Sequence, residues 1–346
     1  MVSGEHLFLG VDVGGTKVAA GLVNSAAEVM LTARMPMVTR KSAEDGLRAV
    51  LDAIDEVLSD QRAAEVSAIG ISVPGWVDSR QGLILNATNL PCWQNYPLAD
   101  EIERRYKLPT RLANDANVAA LAEAVWGAGA SYQNVFYVSL GTGIGTGMVL
   151  GKRLYYGRTG SAGEGGHMTI DFTGPQCGCG KRGCIEMYAS GTAIGRRARE
   201  RLSQSRSHRS RMLERVQGKI ASVTAETVGE AALDGDALAN EVLREAADHL
   251  AIWLGNIIDL LEPEVIVVGG GLGHLMTSFL NHIRSCLETW AINPQRQQVP
   301  IVNAIYRSES GLVGSAALCL PRARLWLSAW QHSGRNESPF PRGGKR

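Results

Sequence analysis

The sequence has no apolar run near the ~20 residues needed to span a bilayer, so it offers no candidate membrane helix. It has almost no net charge, +1 from 35 basic and 34 acidic residues, which gives no case for nucleic acid or an anionic membrane as main partner. The opening MVSGEHLFLGVDV lacks a basic n-region and a cleavage site before an apolar strand begins. Two familiar phosphate signatures are missing too. Neither Gly14-Gly15-Thr16-Lys17 nor Gly180-Lys181-Arg182 has P-loop spacing. Gly141, Gly143, Gly145 and Gly147 alternate and run into a strand, whereas a dinucleotide fingerprint opens a helix. Cysteine is sparse, six in 346 residues, and half of it lies in one place.

That place is the segment 163–186, GEGGHMTIDFTGPQCGCGKRGCIE. Cys177, Cys179 and Cys184 fall within eight residues, and His167 stands ten before the first. Thiolates are the soft ligands that tetrahedral zinc prefers, and one imidazole completes a closed Cys3His set with no open position. Gly178, Gly180 and Gly183 lie between the ligands, where the chain must turn tightly. A disulfide is the competing reading: Cys177 and Cys179 are poorly spaced for each other, but either can reach Cys184. Cys92, Cys286 and Cys319 read as dispersed core or near-core thiols. Thiolates kept for metal point to a reducing, cytoplasmic compartment. Glu164 and Glu186 flank the cluster, and a metal knot would hold both rigidly enough to bind a ligand with several hydroxyls. Their plainer roles are a turn carboxylate and a helix cap.

Length allows two domains, and 45% hydrophobic residues with 40 glycines read as a globular α/β chain. Patterning predicts two or three strands over 7–36, a helix near 42–59, a buried strand VSAIGISVP and a long functional loop over 76–97. A short helix over 98–107, a strand TRLAN and an Ala-rich helix over 116–126 follow. NVFYVSLG then opens the turn GTGIGTG, with MVLGKRLYY as the next strand. This repeats the plan of LFLGVDVGGTKVAAGLV about 130 residues earlier, which suggests a duplicated core with a cleft between halves. Further helices are expected near 191–203, 224–234 and 236–262, with a basic, solvated connection over 203–222. EVIVVGGGLG reads as a buried strand and glycine turn, followed by a helix starting near Leu275. The expected organisation is a small lobe over 1–114 and a large lobe over 115–310. A helix over 311–330 returns to the small lobe, and a disordered tail covers 331–346.

Asp12 adjoins the first glycine turn, where it reads either as an ordinary turn aspartate or as the orienter of hydrated Mg2+ on a nucleotide. The turn at 269–273, with Gly270, suits either close approach of a nucleotide or simple strand–helix packing. Asp115 ends TRLAN, as an N-cap or as a general base projecting into the cleft of an α/β domain.

Taken in order, VDVGGTK, SVPGWVD, NLPCW, NDAN, GTGIGTG, GEGGH, CGCGKRGCIE and VVGGGL resemble the ROK family of sugar kinases and repressors from Asp12 to about Leu318. The resemblance implies an actin-like ATPase fold of the duplicated ribonuclease H-like type, two lobes around a central cleft, and a zinc knot. It implies that Asp12, Gly14, Gly15, Thr16 and Lys17, with Gly141, Thr142, Gly143 and the rest of the stretch to Gly147, hold ATP phosphates and Mg2+. Asp115 becomes the base for a sugar 6-hydroxyl. Asn89, Asn114, Glu164, His167 and Glu186 bind the other hydroxyls, His167 also ligating zinc with Cys177, Cys179 and Cys184. NLPCW and the approach to GEGGH look most like bacterial-type glucokinases, so the expectation is ATP-dependent glucose phosphorylation by a homodimer or homotetramer. Ile185-Glu186-Met187-Tyr188, where Trp-Glu-Gln-Tyr is often seen, and Cys92 for a common Gly keep acetamido sugars and other hexoses as alternatives. Repressors of the family carry a DNA-binding domain ahead of the core; here the phosphate hairpin starts by residue 12, and a non-catalytic sugar sensor is the remaining alternative of another class.

Overall fold

The first apolar run forms β1 (Leu7–Val13), turns at 14–16 and returns as β2 (Lys17–Asn24) and β3 (Val29–Pro36), all antiparallel. The computed structural model describes residues 6–37, 42–87, 89–204 and 210–320. A capping box between Ser42 and Asp45 starts α1 (Ala43–Leu58), which buries Val50, Ile54 and Val57 on one face. Next come β4 (Val66–Val73) and a small antiparallel sheet of β5 (Trp76–Asp78), β6 (Leu83–Asn86) and β7 (Gln94–Tyr96). The expected 76–97 loop is thus partly a sheet. Its strands of three or four residues are too short to show a period of two. α2 (Leu98–Tyr106) ends in a left-handed Lys107, β8 (Thr110–Asn114) follows, and α3 (Asp115–Val125) begins directly at its end.

The second half opens with β9 (Val135–Leu140), β10 (Ile144–Leu150) and β11 (Arg153–Leu154). The turn of GTGIGTG is confined to 141–143; Gly145 and Gly147 are strand residues of β10. Then follow α4 (Glu186–Ala189), α5 (Gly191–Gln204), α6 (Arg211–Arg215), α7 (Ala225–Leu233) and α8 (Ala237–Leu261). The basic 203–222 stretch is less solvated than expected: Met212 and Leu213 of α6 are buried, and Ser210 bonds to Asp236 at 2.8 Å. Residues 205–209 lie outside the described residues. β12 (Val265–Gly269) leads into α9 (Gly273–Met276), α10 (Leu280–Trp290), β13 (Ile301–Asn303) and α11 (Ser310–Ala317). The helix expected from Leu275 is split into α9 and α10 by a 3-10 turn at Thr277–Phe279. The helix expected over 311–330 ends at Ala317 and gives way to a turn; residues 321–330 and the tail over 331–346 lie outside the described residues.

The two large sheets have one topology. The first is ordered β3-β2-β1-β4-β8 and the second β11-β10-β9-β12-β13. In each, the hairpin is antiparallel and the last two strands join parallel to the first. The repeat seen in the two hairpins therefore extends to five strands, and the chain is a duplicated α/β core. α11 packs on β1 and β4, α3 packs on β9 and β10, and the two helices pack on each other between the sheets. This needs bare strands. A Cβ on Gly147 would lie 2.7 Å from the Ala116 carbonyl, and Cβ atoms on Gly10 and Gly70 would overlap the backbone of α11. α1 and α2 cover the outer face of the first sheet; α5, α7, α8 and α10 cover the second, around the buried Trp253. Among the described residues no helix is long and apolar enough to cross a membrane.

Candidate active site

β1, β4 and β8 are neighbouring parallel strands, so their C-terminal ends share one edge of the first sheet. Asp12 sits there opposite Ser72, and Asn114 opposite Val73 with Asp115 next in sequence. Asp12 is half-buried, and desolvation raises its pKa, with Ser72 and the Lys17 charge pulling the other way. The first turn of α11 lies against its carboxylate: a Cβ on Gly311 would be 2.6 Å from Oδ1. No sequence motif marked Gly311, because the contact is made across about 300 residues. The turn after Asp12 closes with Gly14 N–H donating to the Lys17 carbonyl at 2.9 Å. Gly15 lies under Asn89, where a Cβ would stand 3.3 Å from the Asn89 Cβ. Thr16, Lys17 and Asn89 are exposed.

Asn114, not Asp115, is the cap of α3. Its Oδ1 accepts from Ala116 N–H at 2.9 Å and Asn117 N–H at 3.4 Å, while Nδ2 donates to the Gly75 carbonyl at 3.0 Å. That division of labour leaves the Asp115 side chain free to face the opening. Asp115 Oδ1 still accepts from Ala116 N–H at 2.8 Å. The residue surface is open to solvent, yet the walls around the carboxylate desolvate it and push its pKa up to about 6. The nearby charges of Asp12 and Glu164 add to the rise; the bonds from Ala116 and Asn114 oppose it. A carboxylate poised near neutrality at a strand end suits proton abstraction.

Glu164 is brought to this edge from the other half of the chain. Thr146, buried in β10, donates to the Gly163 carbonyl at 2.5 Å and accepts from Gly165 N–H at 3.0 Å, bolting the 163–165 backbone to the strand. Sequence reading missed Thr146; its one signal was a hydroxyl within an otherwise Gly/apolar strand. Next along, His167 Nδ1 lies 3.6 Å from Cys177 Sγ, and Cys179 Sγ lies 3.7 Å from Cys184 Sγ. The four ligand atoms fall within 4.8 Å of one another, and no disulfide joins the three thiols. Tetrahedral zinc with its usual bond lengths requires edges of about 3.75 Å between sulfurs and about 3.55 Å from sulfur to nitrogen. The donor set therefore fits zinc in both chemistry and spacing. Burial, then the neighbouring Cys179 and Cys177, push the Cys184 thiol up to about 12, crowding that a bound cation relieves by taking thiolates directly.

The second glycine turn closes with Gly141 N–H donating to the Gly143 carbonyl at 3.0 Å, and α5 holds it from behind. Gly191 N–H reaches the Gly141 carbonyl at 2.8 Å, and Thr192 Oγ1 the Thr142 carbonyl at 2.8 Å. Glu186 Oε2 accepts from Ile144 N–H at 2.9 Å. Gly145 and Gly147 are occupied in packing under α3, so of this motif only 141–143 forms an open turn. Gly270 has φ +82° and packs against the end of β9, while Gly271 faces open space.

Comparison with known proteins gives a consistent picture. The model of the ROK family matches residues 8–322. The glucokinase of Streptomyces coelicolor is 33% identical over 314 residues, spanning 90% of this chain and 97% of that protein. An N-acetylmannosamine kinase of Yersinia pseudotuberculosis is 34% identical over 308 residues, 89% and 96% of the two chains. The crystal structure of a ROK family glucokinase from Streptomyces griseus in complex with glucose and AMPPNP superposes with a TM-score of 0.78 at 34% identity, covering 90% of this chain and 98% of that one.

Proposed function

The chain belongs to the ROK family, with its actin-like ATPase fold, and we propose that within it the protein is an ATP-dependent sugar kinase acting on the 6-hydroxyl of glucose. One observation carries the reading. Asp115, with its raised pKa of about 6, faces the edge where Asp12 and Glu164 also meet, between two glycine turns of matching design. Both glycine turns suit phosphate oxygens, because their backbone N–H groups approach without side chains in the way. Asp12, held against α11 and beside Lys17, is the group for hydrated Mg2+, which would neutralise phosphate charge when bound. Asp115 orients the sugar hydroxyl and takes its proton as the phosphoryl group transfers in line. Asn89, Asn114, Glu164, His167 and Glu186 hold the remaining hydroxyls, Asn114 through the second Nδ2 hydrogen that its bonds to Gly75 and the α3 cap leave over. Zinc on His167, Cys177, Cys179 and Cys184 is structural in this reading: four protein donors leave no position for substrate.

A coupled ADP-release assay with Mg-ATP against glucose, mannose, fructose, N-acetylglucosamine and N-acetylmannosamine tests the substrate. Glucose is expected to have the highest kcat/KM. The similarity to an N-acetylmannosamine kinase makes an acetamido sugar the second reading, and a preference for one would replace glucose while keeping the chemistry. No turnover with any sugar in zinc-replete protein would favour a non-catalytic sensor.

The pH dependence has a definite sign. The base works as the carboxylate, so kcat/KM is expected to fall about tenfold per unit below a midpoint near pH 6 and to level off above it. A flat profile from about pH 5 to 7 would remove Asp115 from this role.

A further inference from the structure

Glu186, read above as a ligand for a sugar hydroxyl, is also built into the second glycine turn. Its Oε2 accepts from Ile144 N–H at 2.9 Å, immediately after the 141–143 turn. The carboxylate points Oε2 at the glycine of that turn: a Cβ on Gly143 would overlap Oε2 and stand 3.2 Å from Cδ. Oε1 makes no hydrogen bond among the described residues and lies 3.9 Å from the same Cβ position. Glu186 is also the first residue of α4, two positions after Cys184 of the metal cluster. Behind it, α5 grips the same turn through Gly191 and Thr192. One short segment thus carries Cys184 of the metal-ligand set, a carboxylate set against the second glycine turn and two further clamps on that turn.

We propose that Glu186 is a positioning residue that couples sugar and nucleotide binding, Oε2 setting the 141–144 backbone while Oε1 receives a sugar hydroxyl. The inference rests on the sugar kinase reading for its sugar half only. A hydroxyl drawn to Oε1 restricts the carboxylate, and through Oε2 and Gly143 it restricts the turn; a turn ordered by phosphate restricts the carboxylate in return. Such coupling is reciprocal by thermodynamic necessity. It also accounts for a glycine at 143 on grounds of contact, since any side chain there displaces the carboxylate from the turn.

Calorimetric titration of Mg-AMPPNP and of glucose, each alone and with the other saturating, tests this on the full chain. In the unaltered protein each ligand is expected to tighten the other by about 5-fold or more, by the same factor in both directions. Glu186→Ala removes both contacts, weakening Mg-AMPPNP roughly tenfold and reducing the mutual effect to within about twofold. Glu186→Gln keeps an oxygen for Ile144 N–H, so nucleotide affinity returns to within about threefold of the original although glucose binds more weakly. Gly143→Ala pushes from the opposite side and is expected to reproduce the nucleotide defect with Glu186 intact, which decides the matter should Glu186→Ala fail to fold. Melting temperature and zinc content are measured on each variant to separate loss of the knot from loss of the contact.

The proposal is overturned if Glu186→Ala weakens glucose alone and leaves nucleotide affinity and the mutual effect unchanged. It is equally overturned if Glu186→Gln is as poor for nucleotide as Glu186→Ala. A protein that binds Mg-AMPPNP but no sugar would sink the sugar kinase reading and with it the coupling.

Discussion

Replacing Asp115 by asparagine is expected to lower kcat by about 10²–10⁴-fold, the range that loss of a general base removes. Affinity for sugar should change little, because the amide keeps the size of the carboxylate and its acceptor for Ala116 N–H. Stability should not fall. The folded-state pKa, about 6, lies above the ordinary aspartate value of 3.8, so ionisation opposes folding as pH rises between the two. Asparagine has no such penalty, and its melting temperature at neutral pH is expected to equal or exceed that of the original. A variant with near-normal kcat would reject Asp115 as base. One that loses activity together with its fold would show a structural role, which the cap made by Asn114 argues against. The acidic limb of the pH profile should vanish in the same variant, tying the titrating group to this residue.

Removal of zinc is the second large effect. The 163–186 segment has little regular structure of its own, a 3-10 turn at Gly165–His167 and isolated bridges at Thr169–Cys184 and Gln176–Arg182. Phe172 is 85% exposed, so burial contributes little there. In the proposed reading a metal on His167, Cys177, Cys179 and Cys184 adds to the few backbone bonds that hold the segment together. Isolated zinc modules gain about 10–16 kcal/mol from the ion, but here the surrounding fold persists without it, and a net loss of about 3–5 kcal/mol is a reasonable expectation. At about 2 °C per kcal/mol for a chain of this size, melting falls by roughly 6–10 °C. Sugar affinity should fall with it, since His167 is one of the four donors and Glu186 stands two positions after Cys184. Chelation followed by metal analysis, scanning calorimetry and glucose titration tests both effects at once. Cys184→Ser, which removes a buried ligand, should act in the same direction. A metal-free protein with full stability and full activity would contradict the structural role.

Much of the fold is legible without coordinates because its main elements are long and strongly patterned. The buried runs of β1, β4, β9 and β12 carry apolar β-branched residues between glycines. α1 and α8 keep a helical stripe over three turns or more. β13 and the β5–β6–β7 sheet have only three or four residues per strand, and their existence depends on the strands they pair with. Local pattern has no access to such partners. The GTGIGTG stretch shows the same limit. Its first glycines make a turn and its last two make room for α3, a distinction that only the helix above them creates.

The sequence by itself determined the chemistry available to this protein: a Cys3His ligand set, carboxylates at two strand ends, and two glycine turns repeated at a fixed distance. Those follow from residue type and short-range spacing, which a linear chain displays in full. The tertiary structure decided the assignments. Asn114 took the helix cap and left Asp115 to the opening; burial, with Asp12 and Glu164 nearby, raised its pKa. Gly311 made space for Asp12, Thr146 bolted the 163–165 backbone in place, and Glu186 closed on the turn at Gly143. Each of these depends on atoms brought together from distant parts of the chain, where proximity comes from the packing of α3 and α11 between two sheets rather than from the order of residues.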